Sequence, residues 1–357
     1  MARTKMSLKG DLRLSDYLSL GVMAEIIPLE KIKEVLQETE KESTRRRKLP
    51  SDLMIYYVIS LALYSKVSIK EVLRCILEGV HYIRNISSIK IASAKSSISD
   101  ARKRLGIEPL KILFEKTAKP SACKKTRGAW YKEWRLVGID GSTLDIPDEK
   151  ENEKEFGRPG ASRGKTAYPQ IRFVALFEIG TKIVFSAGKY TESEKIISER
   201  VINKLSAGML CIADRYYSTF NLFSSMRETE ADLLIRARKN STLDCLKRFK
   251  DGSFLSELYP DLRHKRRKEK GIKVRVIEYT LAGISDSEEK YILITTILDP
   301  KKAPAKELAA LYHERWEVEI AYDELKVHLK EPGQNLRSKR PDLIGGVCPN
   351  YNIFAYF

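Results

Sequence analysis

The chain is 357 residues long and carries 65 Lys and Arg against 48 Asp and Glu, a formal charge of +17. Its length calls for two or more domains, and 43% hydrophobic with 32% charged residues excludes global disorder. The longest apolar run, Leu53 to Tyr64 broken at Ser60, is too short for a bilayer, which needs about 20 residues. The basic N-terminus has no apolar stretch behind it, so neither a secretory signal nor a membrane partner is expected. Cys75, Cys123, Cys211, Cys245 and Cys348 are dispersed and odd in number, with no zinc pair or disulfide framework among them. The chain reads as cytoplasmic. Its positive excess points to a polyanionic partner, nucleic acid being the commonest, although a solvated basic surface carries the same charge.

Residues 1–118 read as helical. Leu29, Ile32, Val35 and Leu36 share one face after Pro28. Ser51 offers an N-cap, with Asp52 in the first turn, for an apolar helix over 53–64 that forms the centre of this region. Ser68 and Glu71 have capping-box spacing for a helix through about Leu77. A last helix over 97–105, stopped by Gly106, carries Arg102, Lys103 and Arg104. Short helices ending in a basic one suit a DNA-binding module that reads the major groove through Arg102 and Lys103, and equally suit a plain helical domain with a charged rim.

Beyond Pro120 the character changes. Strands are expected over 135–140, 171–178, 182–187 and 209–213, then 232–238. Helices are expected over 192–205, with Thr191 and Glu194 as a second capping box, and over 219–227. This order implies a mixed sheet flanked by helices. Residues 239–303 read as a β-rich insertion holding the basic stretch 263–273 and strands over 272–281 and 291–298. The longest helical pattern runs from Pro304 to about Lys330.

Asp140 closes the first of these strands and Asp214 the fourth. If those strands are neighbours, two carboxylates meet at the sheet's carboxyl edge, where ligands bind, and a hard divalent cation such as magnesium or manganese relieves their repulsion. Aspartate is also common at strand ends as a turn residue. On the long helix, Tyr312, Arg315, Glu319 and Lys326 fall at i, i+3, i+7 and i+14, one face bearing a phenol, a guanidinium, a carboxylate and an ammonium. Glu319 can complete a three-carboxylate site while Arg315 and Lys326 hold phosphates; an exposed face with i,i+4 ion pairs has the same spacing. Gly164-Lys165-Thr166 is no P-loop, because position 159 is Pro and the stretch precedes a strand. None of the four histidines has a ligand pattern.

The Ile-Asp140-Gly-Ser-Thr and Ala-Asp214-Arg-Tyr-Tyr strand ends, with the signature Y-x2-R-x3-E-x6-K from Tyr312 to Lys326, resemble the DDE-type transposases of the insertion-sequence-4 family. The resemblance covers about residues 14–342. It implies an α/β fold: a ribonuclease H-like mixed sheet flanked by helices, with a β-rich insertion and an all-α N-terminal DNA-binding domain. The implied divisions are 1–118 for that N-terminal domain, 119–238 and 304–342 for the catalytic core, 239–303 for the insertion and 343–357 for a short tail.

The resemblance further implies two Mg²⁺ or Mn²⁺ ions held by Asp140, Asp214 and Glu319, cleavage at transposon ends and strand transfer into target DNA. In relatives with the Tyr-Arg-Glu-Lys face a hairpin intermediate forms. Tyr312, Arg315 and Lys326 then grip its phosphates, Arg215 meets a phosphate beside Asp214, and Trp316 either stacks on an unpaired base or packs in the core. The expected partners are DNA and a second copy of the chain, as a homodimer assembled on DNA in the cytoplasm of a prokaryote, at the nucleoid. Relatives continue past the Leu336-Arg-Ser-Lys339 segment into a helical tail, whereas this chain ends in an aromatic run, so a truncated, catalytically inactive DNA-binding remnant is the alternative expectation. A ribonuclease H-like enzyme for RNA–DNA hybrids is a third, disfavoured by the basic helical region.

Overall fold

A computed structural model of the chain describes residues 7–8, 12–13, 23–25, 27–45, 48–63, 68–84, 95–159, 168–190, 194–238, 241, 243–280, 290–313, 315, 339–341 and 344. The chain divides into two compact units, Met1–Ala118 with Asp145–Gln170 and Leu325–Phe357, and Lys119–Leu144 with Ile171–Glu324.

The first unit is mainly helical, but not wholly: Ser7–Leu8 (β1) and Leu12–Arg13 (β2) pair antiparallel. Helix α1, Leu29–Glu38, buries Ile32, Val35 and Leu36, the face its spacing defines. Helix α2, Ser51–Leu63, is apolar on all sides and therefore buried on all sides, with Met54, Ile55, Tyr57 and Ile59 fully enclosed. Its start departs from expectation by a residue. The Met54 N–H bonds to the Pro50 carbonyl, so Ser51 lies inside the first turn, and the hydroxyl of Ser43 accepts the Ser51 N–H at 2.9 Å. The two tyrosine hydroxyls that α2 buries are satisfied by backbone: Tyr56 donates to Ile27 O at 2.6 Å and Tyr57 to Ile69 O at 3.2 Å.

Helix α3, Ile69–Arg84, outruns its expected end at Leu77, and its cap is as expected, with Ser68 Oγ accepting from the Glu71 N–H at 3.2 Å. Helix α4, Lys95–Leu105, ends where Gly106 adopts φ +73°, a left-handed conformation that favours glycine and lets its N–H reach Arg102 O at 3.0 Å. Helix α5, Glu108–Thr117, buries Leu110, Leu113 and Phe114, and its Lys116 bridges Glu34 and Glu38 of α1 at 2.7 and 2.6 Å. A short helix absent from the sequence reading, α6 at Lys150–Phe156, also belongs to this unit.

The second unit is built on a mixed sheet of ten strands among the described residues. Trp130–Tyr131 (β3), Trp134–Asp145 (β4), Gln170–Glu178 (β5) and Ile183–Tyr190 (β6) come first. Helix α7, Glu194–Ile202, leads to β7, Met209–Ala213; helix α8, Phe220–Glu228, leads to β8, Asp232–Arg236. Then follow Lys247–Arg248 (β9), Phe254–Leu258 (β10), helix α9 at Leu262–Arg267, Ile272–Tyr279 (β11), Tyr291–Thr295 (β12) and helix α10, Ala305–His313. The spatial order is β6-β5-β4-β7-β8-β12-β11-β10-β9, with β3 paired to β4. Strands β4, β7 and β8 are parallel to one another, and β8 meets β12 antiparallel. The strands of residues 239–303 thus extend the central sheet rather than forming a sheet of their own.

Strands β7 and β8 read as unbroken apolar runs because both faces are covered. Leu210, Cys211, Ile212 and Ala213 are fully buried, as are Leu233, Leu234 and Ile235. On one face, Ile197, Val201 and Ile202 of α7 and Leu222, Phe223 and Met226 of α8 pack on Val137, Ile139, Cys211 and Ala213. Among the described helices none is long and apolar enough to cross a membrane.

Candidate active site

The register of β4 on β7 pairs Val137 with Cys211 and Ile139 with Ala213, which brings the next residues, Asp140 and Asp214, to the carboxyl end of the parallel ladder side by side. The two strands hold their aspartates differently. Asp140 does not close its strand as expected, because β4 runs on to Asp145; its Oδ1 accepts the Gly141 N–H at 2.8 Å. Asp214 does end β7. It caps a single 3₁₀ turn, Arg215–Ser218, accepting the Tyr216 N–H at 2.9 Å, so it fills the turn role as well as lining the site.

Burial foremost, with the charges of Asp214 and Glu194 adding to it, pushes the Asp140 carboxyl up to about 6 against the Gly141 N–H and the Arg315 guanidinium. A raised carboxyl beside a second carboxylate is a pair whose full ionisation calls for a counter-charge. Tyr217, fully buried one turn on from Asp214, has its hydroxyl 3.4 Å from Ser198 Oγ and is pushed well above the usual phenol range, mainly by burial.

Arg315 stands close enough to pull the Asp140 carboxyl down, and its N–H closes a turn on Tyr312 O at 3.1 Å. Tyr312, expected at a hairpin phosphate, is 5% exposed, its oxygen accepts from Arg315, and burial pushes its phenol up to about 12. Glu319, Lys326 and Trp316 lie outside the described residues, as does most of the helix expected to carry them. Arg215 is exposed beside Asp214.

The basic helix of the first unit places its three cations differently. Arg102 is buried on the Ile98, Ala101 and Leu105 side of α4, and Arg104 donates to Leu49 O at 3.0 Å. The i, i+3, i+4, i+7 spacing that makes α4 amphipathic carries Arg102 inward with Ile98 and Leu105. Lys103 alone of the three is exposed, 3.8 Å from Asp100.

The sequence reading takes Glu194 only as a cap, whereas its charge also bears on Asp140. Helix α7 leads into β7 and so runs back against it, which sets the first turn of α7 at the carboxyl edge where Asp214 sits. That topology was the available signal: a carboxylate in the first turn of a helix preceding an aspartate-terminated parallel strand. Burial, opposed by Arg172 and reinforced by Asp214, raises Glu194 as well.

The donor chemistry suits a hard divalent cation, since the groups that meet are carboxylate oxygens. Among the described residues no three Asp, Glu, His or Cys are gathered closely enough to hold an ion unaided.

Two family models match the chain. One, described as the insertion element 4 transposase N-terminal region, covers residues 17–115, and the other, the transposase DDE domain, covers 135–342, more than half of the chain. Transposase InsG for insertion sequence element IS4 of Escherichia coli (strain K12) is 27% identical over 350 residues, spanning 94% of this chain and 76% of that protein. A putative transposase, InsZ, of the same organism is 26% identical over 217 residues, 59% of this chain and 68% of that one. A solved piggyBac transposase synaptic complex with hairpin DNA aligns with a TM-score of 0.45 and 12% identity, over 91% of this chain and 71% of that one. The chain belongs to the insertion-sequence-4 family of DDE transposases.

Proposed function

We propose that this chain is a metal-dependent DNA transposase whose ribonuclease H-like core cuts at transposon ends and transfers the freed strand into target DNA, through a hairpin, as a homodimer on DNA. The observation that carries this reading is the β4–β7 register, which brings Asp140, within β4, beside Asp214, at the end of β7. Those two carboxylates and Glu319 hold Mg²⁺ or Mn²⁺. Two such ions, when bound, activate an attacking oxygen and stabilise a leaving one in phosphoryl transfer. Arg315, drawn toward Asp140 and fixed by Tyr312, offers a guanidinium to a phosphate at the site, and Lys326, Arg215 and Lys103 meet phosphates beyond it. Trp316 stacks on an unpaired base.

Asp140→Asn, Asp214→Asn and Glu319→Gln are each expected to abolish Mg²⁺-dependent nicking of duplexes bearing the element's ends while leaving DNA affinity within a fewfold of wild type. Full nicking by any one variant removes that residue from the site. A wild-type chain that binds DNA but never nicks it, with either metal, identifies the inactive remnant instead.

A further inference from the structure

The basic stretch 263–273 lies apart from Asp140 and Asp214, and the strand directions show how far. Strands β8 and β11 both pair antiparallel with β12, so β11 runs in the direction of β7 and β8. Leu258 of β10 pairs with Ile272 of β11, which closes that hairpin at the edge of the sheet where β7 and β8 begin. Helix α9 fills the connection. The eight residues of β11, about 25 Å of strand, separate this edge from the one at which Asp214 follows β7.

Helix α9 adds nothing to the core. It buries none of its side chains, and its one apolar residue, Leu262, is 62% exposed. Its local terms are unfavourable as well. Arg263 repels Arg266 and Arg267 at i+3 and i+4, and Lys268 and Lys270 hold φ at +56° and +57°, a left-handed conformation that is costly for lysine. Asp261 caps the helix by accepting the His264 N–H at 2.9 Å, and Lys265 pairs with Asp244 at 2.8 Å. The other cations, Arg263, Arg266, Arg267, Lys268 and Lys270, stand exposed around a single acid, Glu269. Guarding a sheet edge against pairing does not call for this density, since β9, last in the sheet order, carries its own exposed Lys247 and Arg248.

We propose that α9 and the turn after it form a second DNA-contacting surface, which holds duplex phosphates without regard to sequence at the sheet edge opposite the carboxylates. Phosphates set among these cations relieve the repulsion between them, and the arginine forks engage phosphate oxygens two at a time. Residues 261–273 include no Phe, Tyr or Trp on which a base could stack, so the contact is with the backbone of a duplex and not with an unpaired strand. Because this edge lies away from Asp140 and Asp214, the DNA held here is not the stretch being cut. The inference goes beyond the cleavage reaction proposed above and rests only on DNA as the partner.

The test compares the full chain with a triple variant, Arg263→Gln, Arg266→Gln and Arg267→Gln, by fluorescence anisotropy over a range of salt. Two labelled duplexes of equal length serve as probes, one bearing the element's end and one of random sequence. At about 0.9 per phosphate contact, the slope of log affinity against log salt is expected to fall by about 2–3, equally on both duplexes. The matching triple change to Lys, which keeps the charge, retains the slope. Thermal unfolding verifies that both variants are folded, as a helix that buries nothing permits. An unchanged slope in the Gln variant overturns the proposal, and so does weaker binding at constant slope, which is the mark of diffuse charge without contact. A slope that falls on the end duplex alone overturns the sequence-independent contact. A wild-type chain that binds both duplexes and nicks neither removes the cleavage reading, while a lowered slope in the same chain's Gln variant still upholds this one.

Discussion

Asp140 is ionised at neutral pH against the preference of its surroundings. Burial and its acidic neighbours raise its carboxyl from 3.8 to about 6, so between those values the folded chain holds a proton that the unfolded chain has released. Stability therefore falls as pH rises from about 4 to about 6 and stays lowered above that. Asp140→Asn removes this penalty. In the absence of metal it is expected to stabilise the protein by about 2 kcal/mol at pH 7.5, with the gain shrinking below pH 6 and vanishing near pH 4. Urea unfolding across that range measures it; an unchanged midpoint at pH 7.5 would mean that the site does not strain its own aspartate. A stabilising loss of function of this kind is how an active-site cost reveals itself. Asp140 and Asp214 were legible in the sequence because an apolar run ending in an acid is a local pattern. The approach of Glu194 to β4 was not, because it depends on Gly141, 53 residues earlier and adjacent only once the sheet has formed.

Strand β5 ends in a second carboxylate whose role is structural. Glu178 is fully buried, pairs with Arg135 of β4, accepts the Ser121 and Ala122 N–H groups at 3.0 and 2.9 Å, and takes the Thr181 hydroxyl at 2.7 Å. One side chain thus ties the segment entering the sheet to two of its strands. Glu178→Ala leaves a partly buried guanidinium and two backbone donors without acceptors, and is expected to cost about 3–5 kcal/mol. Glu178→Gln keeps an acceptor oxygen and costs less. Chemical unfolding of the two variants ranks them, and equal midpoints would assign the stabilisation to packing rather than to the charge. From the sequence, Glu178 is only the residue before a turn, since nothing local names Arg135 as its partner. The same limit explains residues 239–303. Their strands were legible from β-branched runs, whereas the β12–β8 pairing that joins them to the central sheet is a long-range choice that no periodicity encodes.

At the scale of the whole molecule the +17 charge is a statement about DNA and salt. If some six to ten of these cations neutralise phosphates, affinity drops on the order of a thousandfold or more between about 50 and 200 mM salt, as condensed counterions are released. The family and the charge agree on DNA, but they do not say which cations do the work, and in α4 the fold separates neighbours. Lys103 is exposed, whereas Arg102 is 9% exposed and packs with Ile98 and Leu105. Lys103→Ala is therefore expected to lower the slope of log affinity against log salt by about one while leaving thermal stability unchanged. Arg102→Ala is expected to do the opposite, leaving the slope intact and lowering the unfolding midpoint, because it empties a packed position. Fluorescence anisotropy with a labelled end duplex over that salt range, beside thermal melts of both variants, separates the two residues. A slope change in Arg102→Ala equal to that in Lys103→Ala would show that α4 turns its buried arginine outward when DNA binds.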